Sequence, residues 1–187
     1  MKLKGILAAA LFIVLLGCGS ASSFKPDTFS DKDMCIVKVD DEKVKVCYGM
    51  SRTDVEKILG KGKEGENLRI YTEYDFGVNL MYRDDIARGL MLQEGSESVY
   101  TTARGVKVGQ TKEDVKSLHG SKYAIDIAEN SMEYYYDNKD NKFLGAVSLE
   151  DHTPESLEKT SMLSVGVQGG KITRLWLADR KMLVLLH

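Results

Sequence analysis

The sequence predicts an α+β fold of two tandem units, each a short helix followed by an antiparallel meander. Three observations lead there. A pattern occurs twice, as Gly49-Met50-Ser51-Arg52-Thr53-Asp54-Val55-Glu56-Lys57-Ile58-Leu59-Gly60 and as Gly109-Gln110-Thr111-Lys112-Glu113-Asp114-Val115-Lys116-Ser117-Leu118-His119-Gly120. Apolar runs bounded by turn residues follow each copy. Each predicted helix carries one apolar stripe, Val55, Ile58 and Leu59 or Val115 and Leu118. Helices this short need a sheet to lie on.

Taken in order, the chain opens with a targeting signal. Met1 to Lys4 is basic, and Ile6 to Leu16 is unbroken apolar sequence. That run is shorter than the ~20 residues needed to span a bilayer and suits a signal-peptide core. It ends in Leu15-Leu16-Gly17-Cys18, which resembles the lipobox of bacterial lipoproteins. The resemblance implies a signal peptide at 1–17, cleavage before Cys18 and lipidation of Cys18. It places the protein in the cell envelope, lipid-anchored on the extracytoplasmic side of a bacterial membrane. Each buried acyl CH₂ contributes about 0.8 kcal/mol to such anchoring. Residues 18–34 are small and polar and read as a tether.

Cys35 and Cys47 flank an alternating segment with an acidic turn, Asp40-Asp41-Glu42, which predicts a hairpin. An exported setting favours a disulfide between them, worth about 3 kcal/mol in the chain-entropy model. The facing argument opposes it. Pairing Val37 and Val39 with Val44 and Val46 puts the two cysteines on opposite faces, unless a bulge intervenes or Cys35 lies outside the strand. Two part-buried thiols are the alternative.

The first unit spans 35–95. Ser51 is an N-cap, Asp54 sits three residues on, Met50 and Val55 take staple positions, and Gly60 ends the helix. Lys61 to Asn67 reads as a connection, then strands at Leu68–Phe76 and Val78–Tyr82, a turn at Arg83-Asp84-Asp85, and a strand at Ile86–Gln93. The second unit spans 96–187. Thr111, Asp114 and Gly120 repeat the helix signals. Tyr74-Asp75 aligns with Tyr136-Asp137, and Asp85-Ile86-Ala87-Arg88 with Lys171-Ile172-Thr173-Arg174. Between those anchors the second unit is longer, with an added strand at Phe143–Leu149 and a polar loop at Glu150–Thr160. Met182 to Leu186 is apolar and predicts a last strand covering a sheet edge.

The net charge of -2 gives no electrostatic case for nucleic acid. His119, His152 and His187 lack metal-ligand spacing, so no metal and no cofactor are expected. No nucleophile motif is present, and no catalytic residue is assigned. Asp137 to Lys142 has Lys139 and Lys142 where a calcium loop needs an oxygen ligand and a glycine, so it reads as a turn. Tyr134-Tyr135-Tyr136 and Trp176 are the candidates for contact with a partner, because such side chains bury much area at low entropic cost. In a strand, Tyr134 and Tyr136 share one face and Tyr135 the other.

The pattern at 49–60 with its following strands resembles the SmpA/OmlA outer-membrane lipoprotein family, which shares its fold with the β-lactamase inhibitor protein, itself a tandem repeat. The likeness extends over most of 44–178. The second copy lacks the Met and has His119 before its glycine, and both lack the proline that commonly follows the Leu-Gly. The resemblance implies a β-lactamase-inhibitor-protein-like fold and a non-enzymatic envelope protein that binds a protein partner. Two further expectations stand beside it: a lipoprotein binding a small molecule or cell-wall fragment in a cleft between the units, and an inhibitor of an envelope or secreted enzyme.

Overall fold

The computed structural model describes residues 24–65, 71–145 and 153–184. The signal segment and Cys18 lie outside them. The chain is an α+β protein dominated by antiparallel sheet.

The folded body begins earlier than the sequence predicts. Residues 24–34 are packed, not a tether. A 3-10 turn at Asp31–Met34 buries Asp33 and Met34. It leads into β1 (Cys35–Lys38), whose hairpin partner is β2 (Lys45–Cys47). The observed register sets Ile36 opposite Val46 on the buried face, and Cys35 opposite Cys47 on the other. Cys35 and Cys47 are joined by a disulfide. The facing objection fails because Ile36, not Val37, is the residue that points inward.

Next come α1 (Arg52–Leu59), β3 (Lys63–Glu64), β4 (Tyr71–Tyr74), β5 (Val78–Arg83) and β6 (Ile86–Gln93). Leu68 to Ile70 of the predicted strand lie outside the described residues. Asp84 and Asp85 both adopt positive φ, 54° and 56°, as a tight hairpin turn demands. Then follow β7 (Tyr100–Thr102), α2 (Lys112–His119), β8 (Ile125–Ala128), β9 (Ser131–Asp137) and β10 (Lys142–Leu144). Ala146 to Leu149 of the predicted added strand lie outside the described residues. The chain continues through α3 (Pro154–Lys159), β11 (Thr160–Gln168), β12 (Lys171–Asp179) and α4 (Arg180–Val184).

Two elements differ from expectation. The predicted polar loop contains α3, because Thr153 accepts from the Ser156 N–H and Pro154 occupies the first turn. Over Met182 to Val184 the predicted final strand is instead α4; Leu185 and Leu186 lie outside the described residues. The Asp179 carboxylate accepts from the Met182 N–H at 2.8 Å, which turns the chain into a helix.

The two long-signalled helices follow their caps. Ser51 Oγ accepts from the Asp54 N–H at 3.1 Å, and Thr111 Oγ1 from the Asp114 N–H at 3.2 Å. Asp114 also accepts from the Thr111 N–H at 2.8 Å, closing a capping box. Gly60 and Gly120 end the helices at φ of 83° and 97°, a region open to glycine at little cost. Val55 and Val115 are fully buried, whereas Ile58 stays exposed.

The main sheet runs β10-β9-β11-β12-β6-β5-β4-β3, with β8 beside β9; β2-β1-β7 form a smaller sheet. Strands β6 and β12 pair antiparallel at its centre, from Arg174–Gln93 to Ala178–Gly89. The two halves are therefore joined edge to edge through β6 and β12. Each half places a glycine before its helix against its last strand. Gly49 donates to the Ala87 carbonyl and Gly109 to that of Ile172, each at 2.8 Å. A bulge falls at Met81/Tyr82 and again at Gly166/Val167. By these parallels Ala87 stands in its half where Ile172 stands in the other, and Tyr74 where Tyr134 stands.

Candidate functional site

The main sheet has two unlike faces. Alternation sends Leu80, Leu90, Leu92, Leu163, Val165, Leu175 and Leu177 to one side. There they pack with Val55 of α1, Val115 of α2, and Ile36, Val46 and Tyr100 of the smaller sheet. This face is closed. The other side carries Met81, Ala178 and Met182, with Tyr71 and Trp176 packed against them. Helix α4 packs on β11 and β12 here, and α3 packs beside it.

Two cross-strand rows define the second face. Register sets Glu133, Ser164, Trp176, Met91, Asn79 and Glu73 side by side across six strands. The adjacent row reads Tyr135, Met162, Ala178, Gly89, Met81 and Tyr71. Gly89 has a specific reason: a Cβ there would lie 2.3 Å from the Met81 methyl, so the glycine makes room for that side chain. Trp176 stands at the centre, half-buried, its ring 5.7 Å from that of Tyr71. Tyr135 stands in the strand beyond β11. Its hydroxyl donates to Glu133, and the Arg180 guanidinium lies 5.4 Å from its ring. Burial, with Glu133 next to it, pushes the Tyr135 hydroxyl pKa well up.

The four predicted contact residues thus separate. Tyr135 and Trp176 lie on the second face, two strands apart. Tyr134 is a core residue, 4% exposed, donating to the Gly120 carbonyl at 2.6 Å. It is not available to a partner. Tyr136 stacks on Phe29 at 4.2 Å and meets Phe143 edge-on at 5.2 Å, on the closed side. Tyr71 is a part-exposed member of the second face that sequence reasoning missed; Met81 and Met91 share that face but are 1% and 5% exposed, as closed to a partner as Tyr134. Their signal was available: Met91 and Trp176 occupy the same phase in the last strand of each half.

A polar hub secures the covered end of this face. Asp179, 1% exposed, accepts from the Tyr48 hydroxyl at 2.7 Å, from Arg83 at 2.9 Å and from the Met182 N–H. Arg83 also pairs with Glu158 of α3 at 2.9 Å. Burial and the adjacent Asp179 push the Tyr48 pKa up to about 12. Each partner fills another's bonding capacity, as a buried network requires.

Among the described residues no cluster of three His, Cys, Asp or Glu side chains could hold a metal. His119 is buried beside Arg104, and its Nε2 has no hydrogen-bond partner. Burial, then the charge of Arg104, lowers its pKa to about 3, so the ring is neutral. No helix among the described residues is long and apolar enough to cross a membrane. No known protein family, curated protein or solved structure matches the chain.

Proposed function

We propose that this is a lipid-anchored cell-envelope protein that binds a protein partner, without chemistry of its own, through the second face of its main sheet around Trp176. The reading includes anchoring at Cys18 and two tandem related units, in the manner of the SmpA/OmlA and β-lactamase inhibitor proteins that the sequence resembles. The matched glycine contacts, bulges and helix caps of the two halves support the tandem part.

One observation carries the binding site. A half-buried Trp176 sits at the middle of a broad sheet face that also carries the part-exposed Tyr71 and Tyr135, with small residues Ser164 and Gly89 in the same rows. Interfaces draw most of their energy from such central aromatic anchors. The experiment is cross-linking from envelopes with a photoreactive residue at position 71, beside an intact Trp176, compared with one at Glu155 on α3. A discrete adduct at 71 alone supports the reading. Absence of adducts at 71, or equal adducts at both sites, removes it.

A further inference from the structure

The geometry points to a membrane-docking surface: a basic groove beside the N-terminal segment, lined by Lys32, Lys38, Lys45 and Lys107, that seats on anionic phospholipid headgroups. The inference rests on the proposal that Cys18 is lipidated.

The groove has a volume of about 610 Å³ and lies against β1, β7 and the end of α2. Phe24 and Pro26 form part of its wall, so the chain enters the folded body there. Six positions separate Cys18 from Phe24. Fully extended, they reach no more than about 22 Å. The body adds no slack. Arg104 donates to the Lys25 carbonyl at 2.8 Å and to the Thr28 carbonyl at 2.6 Å, and it pairs with Asp33. The Asp27 N–H donates to the His119 carbonyl at 2.7 Å. A lipid at Cys18 therefore holds this side of the protein close to the bilayer, and the far side of the sheet away from it.

Charge supplies the complement. Arg104 is neutralised by Asp33, and Lys38 lies 3.4 Å from Asp40. Lys32, Lys45 and Lys107 pair with no carboxylate among the described residues. Glu42, in the turn of the β1–β2 hairpin, is the one carboxylate on the wall. Removing residues 1–17 takes away Lys2 and Lys4 and moves the formal charge from -2 to -4, so the groove's lysines stand out against an acidic chain. A lysine near an anionic leaflet strengthens binding about fivefold, from roughly 1 kcal/mol each. Val39, 41% exposed on the same wall, offers an apolar contact at the headgroup boundary.

The test uses the full-length, processed protein in phosphatidylcholine vesicles with and without phosphatidylglycerol. A polarity-sensitive dye is placed at Ser117→Cys, on the groove wall, or at Glu155→Cys, on α3. The expected result is a blue shift at 117 that needs phosphatidylglycerol and is reversed by about 1 M salt, where the screening length falls to about 3 Å. The shift is lost when the four lysines are changed to Gln, and it is absent at 155. Equal emission with and without phosphatidylglycerol, or a response at both sites, overturns the proposal. So does an equal response to soluble polyphosphate on neutral vesicles, which would make the groove a site for a dissolved polyanion. The salt arm needs no variant and holds if the lysine variant does not fold. Mass spectrometry of the mature N-terminus separates the two layers. An acylated Cys18 without the dye response sinks the groove alone, whereas an unacylated Cys18 sinks both.

Discussion

The two faces of the main sheet are made by the same strands and differ in kind. The closed face is mainly aliphatic and is sealed by two capped helices and a second sheet, whose hairpin a disulfide ties from behind. The second face carries Trp176, Tyr71, Tyr135, Met81 and Met91, and its cover of α3 and α4 is held by the Asp179 hub. A strand residue reaches one face or the other by parity alone, so adjacent positions such as Leu175 and Trp176 serve different ends. On the closed side the large side chains are buried, whereas on the other Trp176, Tyr71 and Tyr135 keep part of their surface exposed.

That division can be broken from the closed side first. Arg104→Ala leaves Asp33 buried without its cation, both partners being 2% exposed. Losing one member of such a pair costs about 3–5 kcal/mol. The urea midpoint should fall accordingly, and a loss under about 1 kcal/mol would contradict the buried clamp. Reducing the Cys35–Cys47 bridge, whose members are 12 positions apart, should cost about 3 kcal/mol. Thermal melts with and without reductant measure it.

His119 gives an effect confined to acid. Its folded pKa of about 3 lies below its ordinary 6.5. Below pH 6.5 the unfolded chain binds a proton that the folded chain refuses, so stability falls as pH drops from 6.5 toward 3 and is unaffected above. His119→Gln should flatten the melting temperature against pH in that window. An unchanged slope would mean that the ring is protonated in place.

The smallest stability effect belongs to the second face. Trp176→Ser should cost about 2 kcal/mol, less than a wholly buried Trp because the side chain is only partly buried, while abolishing the cross-linked adduct expected from position 71. If Trp176→Ser destabilises as much as Arg104→Ala, the two faces are one core.

The sequence was most legible where a local signal decided the structure. Ser51, Thr111, Gly60 and Gly120 place both helices, and β6 occupies Ile86–Gln93 as its alternation and the Asp84-Asp85 turn predict. It was least legible where a distant partner decided. The hairpin inverts because Ile36 and Val46 have a core to enter. Met182 to Val184 continue a helix because the Asp179 carboxylate, itself held by Tyr48 and Arg83, is in place to cap it. Of the four residues chosen by aromatic type, Tyr135 and Trp176 lie on the second face and Tyr134 and Tyr136 on the closed one. Parity relative to Thr72 and Tyr74, which stand opposite the core residues Leu80 and Val78, was the signal needed for Tyr71.

The Arg104 clamp also has a mechanical consequence. Tension arriving through the N-terminus reaches the segment at 24–34 first, where Arg104 grips the Lys25 and Thr28 carbonyls and the Asp33 carboxylate. Past that grip lies β1, the middle strand of its sheet, bolted to β2 by the Cys35–Cys47 bridge. The load path ends there. A pull on the N-terminus peels at most the first segment, and the face around Trp176 keeps its shape under strain.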